Sequence, residues 1–295
     1  MPGRRPACLV GTPVDKIGKF HVLNTLGSGA HSSILHVRRE ADAKEYALKL
    51  VPIDEPDDRK YLEQAKYEFR VAQLLDHPNL VKVYCLEVEG GWFSGPKKAK
   101  LLVEYVPGKT MDLHPLLRPA KMLRVFERIA DALTHMHKRG VLHADLKPNN
   151  LILGRGTAVK VLDYGLAWIK GEAKDRVQGT PEYMAPETAS HKLVNERTDI
   201  YNFGATMYRL ATLQLPPCAI PVPGGLAIDE KIFREHLKPV CQCNPLLPAA
   251  LGLLIEQCLR FKAHKRPERM SEIQGLLDQL ADEAAAACDP ADLEA

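Results

Sequence analysis

The sequence has no apolar run approaching the roughly 18 residues that a membrane-spanning helix needs. Its opening stretch, residues 1–14, carries the basic pair Arg4 and Arg5 but no long apolar core of the kind a secretory leader has. Strong charge bias is missing too. Forty Lys and Arg against 37 Asp and Glu leave a net +3, too little to point to a nucleic-acid or membrane partner. Internal repeats and long low-complexity tracts are absent. Cysteines number seven and are scattered. Cys241 and Cys243, with His236 nearby, form a lone C-x-C, whereas zinc sites usually show two spaced ligand pairs. Reduced, partly buried thiols in a soluble cytoplasmic protein are the expectation.

What is present suffices for one large domain or two coupled lobes: 295 residues, 45% of them apolar. The first third reads as strands at 19–26, 33–38 and 45–50, then a helix at 60–75, then strands at 80–88 and 100–106. In that helix Ala65, Glu68, Ala72 and Leu75 share one stripe. A loop is expected at 89–99, its aromatics Trp92 and Phe93 packing on their own domain. Beyond Pro107-Gly108 the pattern turns helical, with a first-turn proline at 119 and a basic, glycine-ended last turn at 138–140. Short strands follow at 141–143, 151–153 and 159–162, and helices at 198–213, 228–236, 248–261 and 270–283. Pro216-Pro217 and the prolines at 221 and 223 mark an irregular connection. A strand-rich half before a helical half predicts an α+β fold with a cleft. The expected divisions are 1–14 flexible, 15–106, 107–283, and a flexible 284–295.

Several segments carry chemistry. Gly27-Ser28-Gly29, between two strands, lets backbone N–H groups approach an anion, though such a pair also suits a hairpin turn. Lys49 lies on a strand whose alternation turns it to the same face as Ala47. Glu68 sits on an inward helix stripe, where a carboxylate is costly without a cation, and Lys49 is the natural partner. His143-Ala144-Asp145-Leu146-Lys147-Pro148-Asn149-Asn150 packs an acid, a cation and an amide into one loop. Asp163-Tyr164-Gly165 follows the next strand pair. Asp163 with Asn150 offers oxygen ligands suited to Mg²⁺. Asp145 beside Lys147 could orient a hydroxyl while the lysine neutralises a moving phosphoryl group.

Taken in this order, these segments resemble the eukaryotic-type (Hanks-type) protein kinases over roughly residues 20–280, most like bacterial members with serine/threonine specificity. The resemblance implies a β-rich N-lobe with one helix, a helical C-lobe, and ATP with Mg²⁺ in the cleft between. It implies that Asp145 is the catalytic aspartate, with Lys147, Lys49, Glu68 and Thr180 supporting transfer to a protein hydroxyl. Asn150 and Asp163 would hold metal. Leu26, Gly27, Ser28, Gly29, Ile34, Ala47, Lys49, Val103, Glu104, Val106, Ile152 and Asp163 would bind nucleotide. Thr180 would bridge Asp145 and Lys147, Asp199 would anchor the catalytic loop, and Arg266 would pair with Glu187 of Ala185-Pro186-Glu187. A pseudokinase scaffold should have lost Lys49, Asp145, Asn150 or Asp163. A small-molecule kinase should lack the 179–187 segment.

Three departures from the family pattern stand out. Ser32 occupies the third glycine position, with His31 at the loop tip, so looser phosphate capture is expected. Tyr164 replaces Phe, which a pocket tolerates if the hydroxyl finds a partner. Ala144 replaces an arginine that receives activation-segment phosphate, and residues 163–179 contain neither Ser nor Thr. Receptor and donor are missing together, so activity without phosphorylation of that segment is expected, with Lys174, Arg176 and local packing ordering it.

Overall fold

The computed structural model describes residues 16–29, 31–91, 95–172, 178–218, 220 and 229–287. The expectations attached to residues 1–14, Trp92, Phe93, Lys174, Arg176, the prolines at 221 and 223, and residues 288–295 fall outside these. The chain divides into two compact units, Met1–Ala65 with Val83–Tyr105, and Lys66–Lys82 with Val106–Ala295. Strands dominate the first and helices the second.

The first unit is an antiparallel sheet. Its strands are β1 (Lys16–Ile17), β2 (Phe20–Gly29), β3 (Ser32–Arg39), β4 (Glu45–Pro52), β5 (Val83–Gly91) and β6 (Gly95–Glu104), in the order β1-β2-β3-β4-β6-β5. Alternation along β4 sends Tyr46 and Leu48 to one face, where they bury with Phe20, Val37 and Leu102. Phe20 and Tyr46 meet edge-on, centroids 6.1 Å apart. Ala47 and Lys49 take the other face. After β4 the Asp58 carboxylate accepts the N–H groups of Asp54 and Glu55 at 3.0 Å, fixing the turn that opens α1 (Arg59–Gln73). On α1 Ala65, Glu68 and Ala72 of the expected stripe are buried, with Leu62, whereas the helix ends at Gln73 and Leu75 beyond it is half-buried.

The expected loop at 89–99 is instead mostly strand. The β5–β6 ladder continues through Glu89↔Lys98, Gly90↔Pro96 and Gly91↔Gly95. Its glycines serve close backbone approach rather than a loop, for a Cβ at Gly90 would lie 2.1 Å from the Gly95 carbonyl oxygen. Its lysines lie on the inner strand β6, where Lys100 pairs with Glu89 of the edge strand β5. The strand expected from residue 80 begins at Val83. Leu80 instead bridges Val161 in the second unit, where the Val81 N–H donates to the Val161 carbonyl at 3.0 Å.

The second unit contains β7 (Lys109–Thr110), α2 (Pro119–Lys138), β8 (Val141–Leu142), β9 (Leu151–Leu153), β10 (Val159–Val161) and β11 (Trp168–Ile169). Six helices follow: α3 (Pro186–His191), α4 (Glu196–Thr212), α5 (Glu230–His236), α6 (Val240–Cys243), α7 (Ala249–Cys258) and α8 (Met270–Ala287). β10-β9-β7 form one small sheet and β11-β8 another. The elements α3, α6, β7 and β11 were not anticipated; they are two to six residues long, too short for periodicity to register. The last helix runs to Ala287, four residues past its expected end, because alanines propagate a helix well.

α4 forms the centre of this unit. Asn195 caps it, its side chain accepting from the N–H of Arg197 at 2.8 Å while its own N–H donates to the Thr198 hydroxyl at 3.1 Å. From Thr198 to Tyr208 every residue is buried, as expected of a helix packed on all sides. Gly204 lets α7 close in, since a Cβ there would lie 2.6 Å from Cys258 Cβ. Arg124 on α2 reaches Asp278 and Asp282 on α8 at 2.9 and 2.6 Å. Among the described residues no helix is long and apolar enough to cross a membrane, and no cluster of three His, Cys, Asp or Glu side chains suits a metal ion. Cys241 and Cys243 lie in α6.

Candidate active site

In the second unit the loop between β8 and β9 is held from below by Asp199 of α4, which is fully buried. Its Oδ2 accepts from His143 N and its Oδ1 from Ala144 N, both at 2.8 Å, and His137 Nε2 lies 2.8 Å from Oδ2. Burial pushes this carboxyl's pKa up, but the His137 hydrogen bond and charge, with His143 and the Ala144 N–H, more than offset it, leaving the pKa lowered. Ala144 has φ of 63°, a conformation costly for a residue with a Cβ and sustained here by that clamp.

The loop carries Asp145 upward into a tight cluster. Asp145 Oδ1 accepts from Thr180 N and Thr180 Oγ1, both at 2.9 Å. Lys147 Nζ donates to Asp145 Oδ2 at 2.8 Å and to Thr180 Oγ1 at 2.6 Å. Asn150 Nδ2 donates to the Asp145 carbonyl at 2.9 Å, which leaves the amide oxygen as its acceptor end. The Leu162 N–H donates to the Asn150 carbonyl at 2.8 Å, tying the chain just before Asp163 to this loop. His143 Nε2 lies 3.1 Å from the Leu162 carbonyl while Nδ1 lies 3.4 Å from Asp145 N, an arrangement that suits the Nε2–H tautomer. Asp163 has φ of 63°, and its Oδ1 accepts from Gly165 N at 3.0 Å.

The substitution at 164 finds its partner. Tyr164 is fully buried and its hydroxyl donates to the Val81 carbonyl at 2.9 Å. Tyr164→Phe is expected to remove about 1 kcal/mol of stability, read as a lower urea midpoint, with turnover changing less than about twofold. An unchanged midpoint would show that the Val81 bond contributes nothing net.

In the first unit the strand register assembles a second group. Gly27 pairs with Ile34, Ile34 with Lys49, and Ala47 with Val103. Directly paired residues share a sheet face, so Gly27, Ile34, Lys49, Ala47 and Val103 cannot be separated without shifting the register. The Gly27-Ser28-Gly29 run is part of a hairpin, Ser28 opposite Ser33 and Gly29 opposite Ser32. Leu26 is exposed. Glu104 ends β6, and Tyr105, which closes this unit, stacks on His36 with centroids 3.7 Å apart. Val106, Ile152 on β9 and buried Glu68 on α1 belong to the second unit.

Further residues hold the site, and the motif reading passed over them. On α4, Asn202 Nδ2 donates to the Tyr183 carbonyl at 2.5 Å and Thr206 Oγ1 to the Leu146 carbonyl at 3.2 Å. With Asp199 they form a polar stripe three and four residues apart in a buried helix, a pattern visible in the sequence once the helix is taken as wholly internal. Thr180 opens the segment that ends at Glu187. There Arg266 grips both carboxylate oxygens at 2.8 Å, as the family resemblance implied.

Comparison with known proteins accords with these geometries. The chain is similar to the serine/threonine-protein kinase PrkC of Bacillus subtilis, 28% identical over 255 residues covering 84% of this chain and 38% of that protein. It is similar to the serine/threonine-protein kinase pkn2 of Myxococcus xanthus, 30% identical over 277 residues covering 88% of this chain and 32% of that protein. A plant relative, the CBL-interacting serine/threonine-protein kinase 24 of Arabidopsis thaliana, is 27% identical, with 88% and 56% covered. The chain thus spans between about a third and just over half of the length of these relatives. Residues 20–277 match the family model described as the protein kinase domain, and the chain belongs to that family.

Proposed function

We propose that this chain transfers the γ-phosphoryl group of ATP to serine or threonine hydroxyls of a protein, without prior phosphorylation of the segment after Asp163. The observation that carries the reading is the Asp145–Lys147–Thr180 cluster. Asp145 accepts the hydrogen bond of the incoming hydroxyl and aims its oxygen at phosphorus. Lys147, between Asp145 and Thr180, offers a cation to the equatorial oxygens as charge builds on them. Thr180, hydrogen-bonded through both backbone and side chain, fixes the acceptor segment against the catalytic loop. The three relatives named above as serine/threonine-protein kinases support the acceptor type.

Asn150 and Asp163 fit a Mg²⁺ ion, since the amide nitrogen of Asn150 is engaged and its oxygen remains available. When bound, the ion neutralises phosphate charge. Lys49, with Ala47, Ile34 and the glycine hairpin on its face, fits the α- and β-phosphates and the base. Leu26, Ser28, Gly29, Val103, Glu104, Val106 and Ile152 complete that nucleotide reading. Glu68 is assigned to orient Lys49. A cytoplasmic setting suits an ATP-dependent enzyme whose described cysteines are all free.

The test is phosphate transfer from labelled Mg·ATP by phosphatase-treated protein, offered a basic Ser/Thr-containing protein and a panel of small alcohols. Labelled phosphoserine or phosphothreonine in the protein is expected at once. Label in the small alcohols alone, or activity that waits for phosphorylation by another kinase, would overturn the proposal.

A further inference from the structure

The cluster around Asp145 leaves unexplained what holds the chain after Asp163 in place. β11 pairs with β8 through Trp168↔Leu142 and Ile169↔Val141, and the Lys170 N–H donates to the Gly140 carbonyl at 2.8 Å. One edge of the segment is thereby stitched to the strand that leads into His143. Its other edge meets the C-terminal half of α1. There Tyr67 Oη accepts from Ile169 N at 3.1 Å, and Arg70 Nη2 donates to Glu172 Oε2 at 2.6 Å. Trp168 Nε1 donates to the Glu172 carbonyl at 2.9 Å, which curls the chain back so that the Glu172 side chain faces the helix.

Tyr67 and Arg70 are three residues apart on α1 and therefore share a face. Glu68 lies between them in sequence and on the buried stripe. Two contacts on one face of the helix limit both its rotation and its sliding against β11. We propose that the Arg70–Glu172 ion pair is a built-in, permanently charged brace that positions α1, and Glu68 with it, against the segment following Asp163. Arg70 and Glu172 are on this account positioning residues of the phosphoryl-transfer site. The proposal rests on the function proposed above and deepens it by naming what replaces a regulatory phosphate. Residues 163–179 hold no Ser or Thr that could acquire charge, whereas the Glu172 carboxylate carries its charge from synthesis.

The pair is partly open to solvent, with side-chain exposures of 55% and 35%. Its strength is therefore modest and screened by salt, and its effect belongs to alignment rather than to global stability. The test compares Arg70→Glu, Glu172→Arg and the double charge swap, using phosphatase-treated protein throughout. Each single variant should lose about twofold to fivefold in kcat/KM, the size of effect an exposed pair supports. The double swap should recover most of that loss, and high ionic strength should narrow the gap between wild type and the single variants.

Amide hydrogen exchange over residues 165–172 gives a readout independent of turnover. Exchange should rise in both single variants and fall back in the double. Single variants that match wild type in rate and exchange, or a double variant as poor as either single, would overturn the brace. If exchange follows the charge pattern but wild type transfers no phosphate, the brace stands and the proposed function falls.

Discussion

Asp145→Asn is expected to reduce phosphoryl transfer by about a hundredfold to ten-thousandfold while leaving nucleotide affinity nearly unchanged. The substitution keeps the shape of the side chain, and its oxygen can still accept from Thr180 N, so the acceptor segment should stay docked. What it removes is the charge. Lys147 Nζ, now 2.8 Å from a carboxylate oxygen, would face an amide, and no anion would remain to take the hydroxyl hydrogen bond. Single-turnover transfer and a separate nucleotide titration measure the two halves of the expectation. A variant with turnover within about tenfold of wild type would remove Asp145 from the role assigned to it.

The largest effect on stability is expected from Arg266→Ala. The guanidinium is completely buried, and five N–H donors are engaged: two to Glu187, one each to the carbonyls of Arg260, Arg197 and Phe261. It also lies over the Tyr201 ring, 4.8 Å from its centroid. Truncation would leave Glu187 with the Thr198 hydroxyl, 3.1 Å away, and three carbonyls without these donors. Breaking one side of a buried pair costs about 3–5 kcal/mol, so the urea midpoint should fall steeply. Arg266→Lys should recover only part, because a point charge cannot serve a forked carboxylate and three carbonyls together. A loss under about 1 kcal/mol for the alanine variant would mean that the pair is not what closes the acceptor segment.

Where chemistry sits on short, contiguous stretches, it was readable before any coordinates. Asp145, Lys147 and Asn150 lie within six residues, and a loop that short leaves little choice about who meets whom. Alternation along β4 likewise gave away the face shared by Ala47 and Lys49. Legibility failed where the deciding contact is distant in sequence. Residues 89–91 and 95–99 looked like loop because glycine and lysine are poor strand formers, yet their pairing across the hairpin supplies the hydrogen bonds that override propensity. Leu80 looked like the start of a strand and instead pairs with Val161, a contact no local window contains. Asn202 and Thr206 were passed over because a polar residue inside a helix reads as surface until the helix is known to be enclosed, and His137 because its partner Asp199 lies on a different helix. Tyr67, Arg70 and Glu172 escaped because only the folded chain joins them.

The polar stripe on α4 has a consequence for how this domain can change. Asp199 and Thr206 hold two points of the loop between β8 and β9, at His143–Ala144 and Leu146, and Asn202 holds Tyr183. All three take their position from one internal helix, much as parts machined from a common datum keep their spacing whatever is done to the casing. Surface loops that meet acceptors can lengthen, shorten or change charge without disturbing the catalytic atoms, because none of those atoms is referenced to the surface. The same arrangement forbids gradual drift: a one-residue slip of α4 would displace all three attachment points at once.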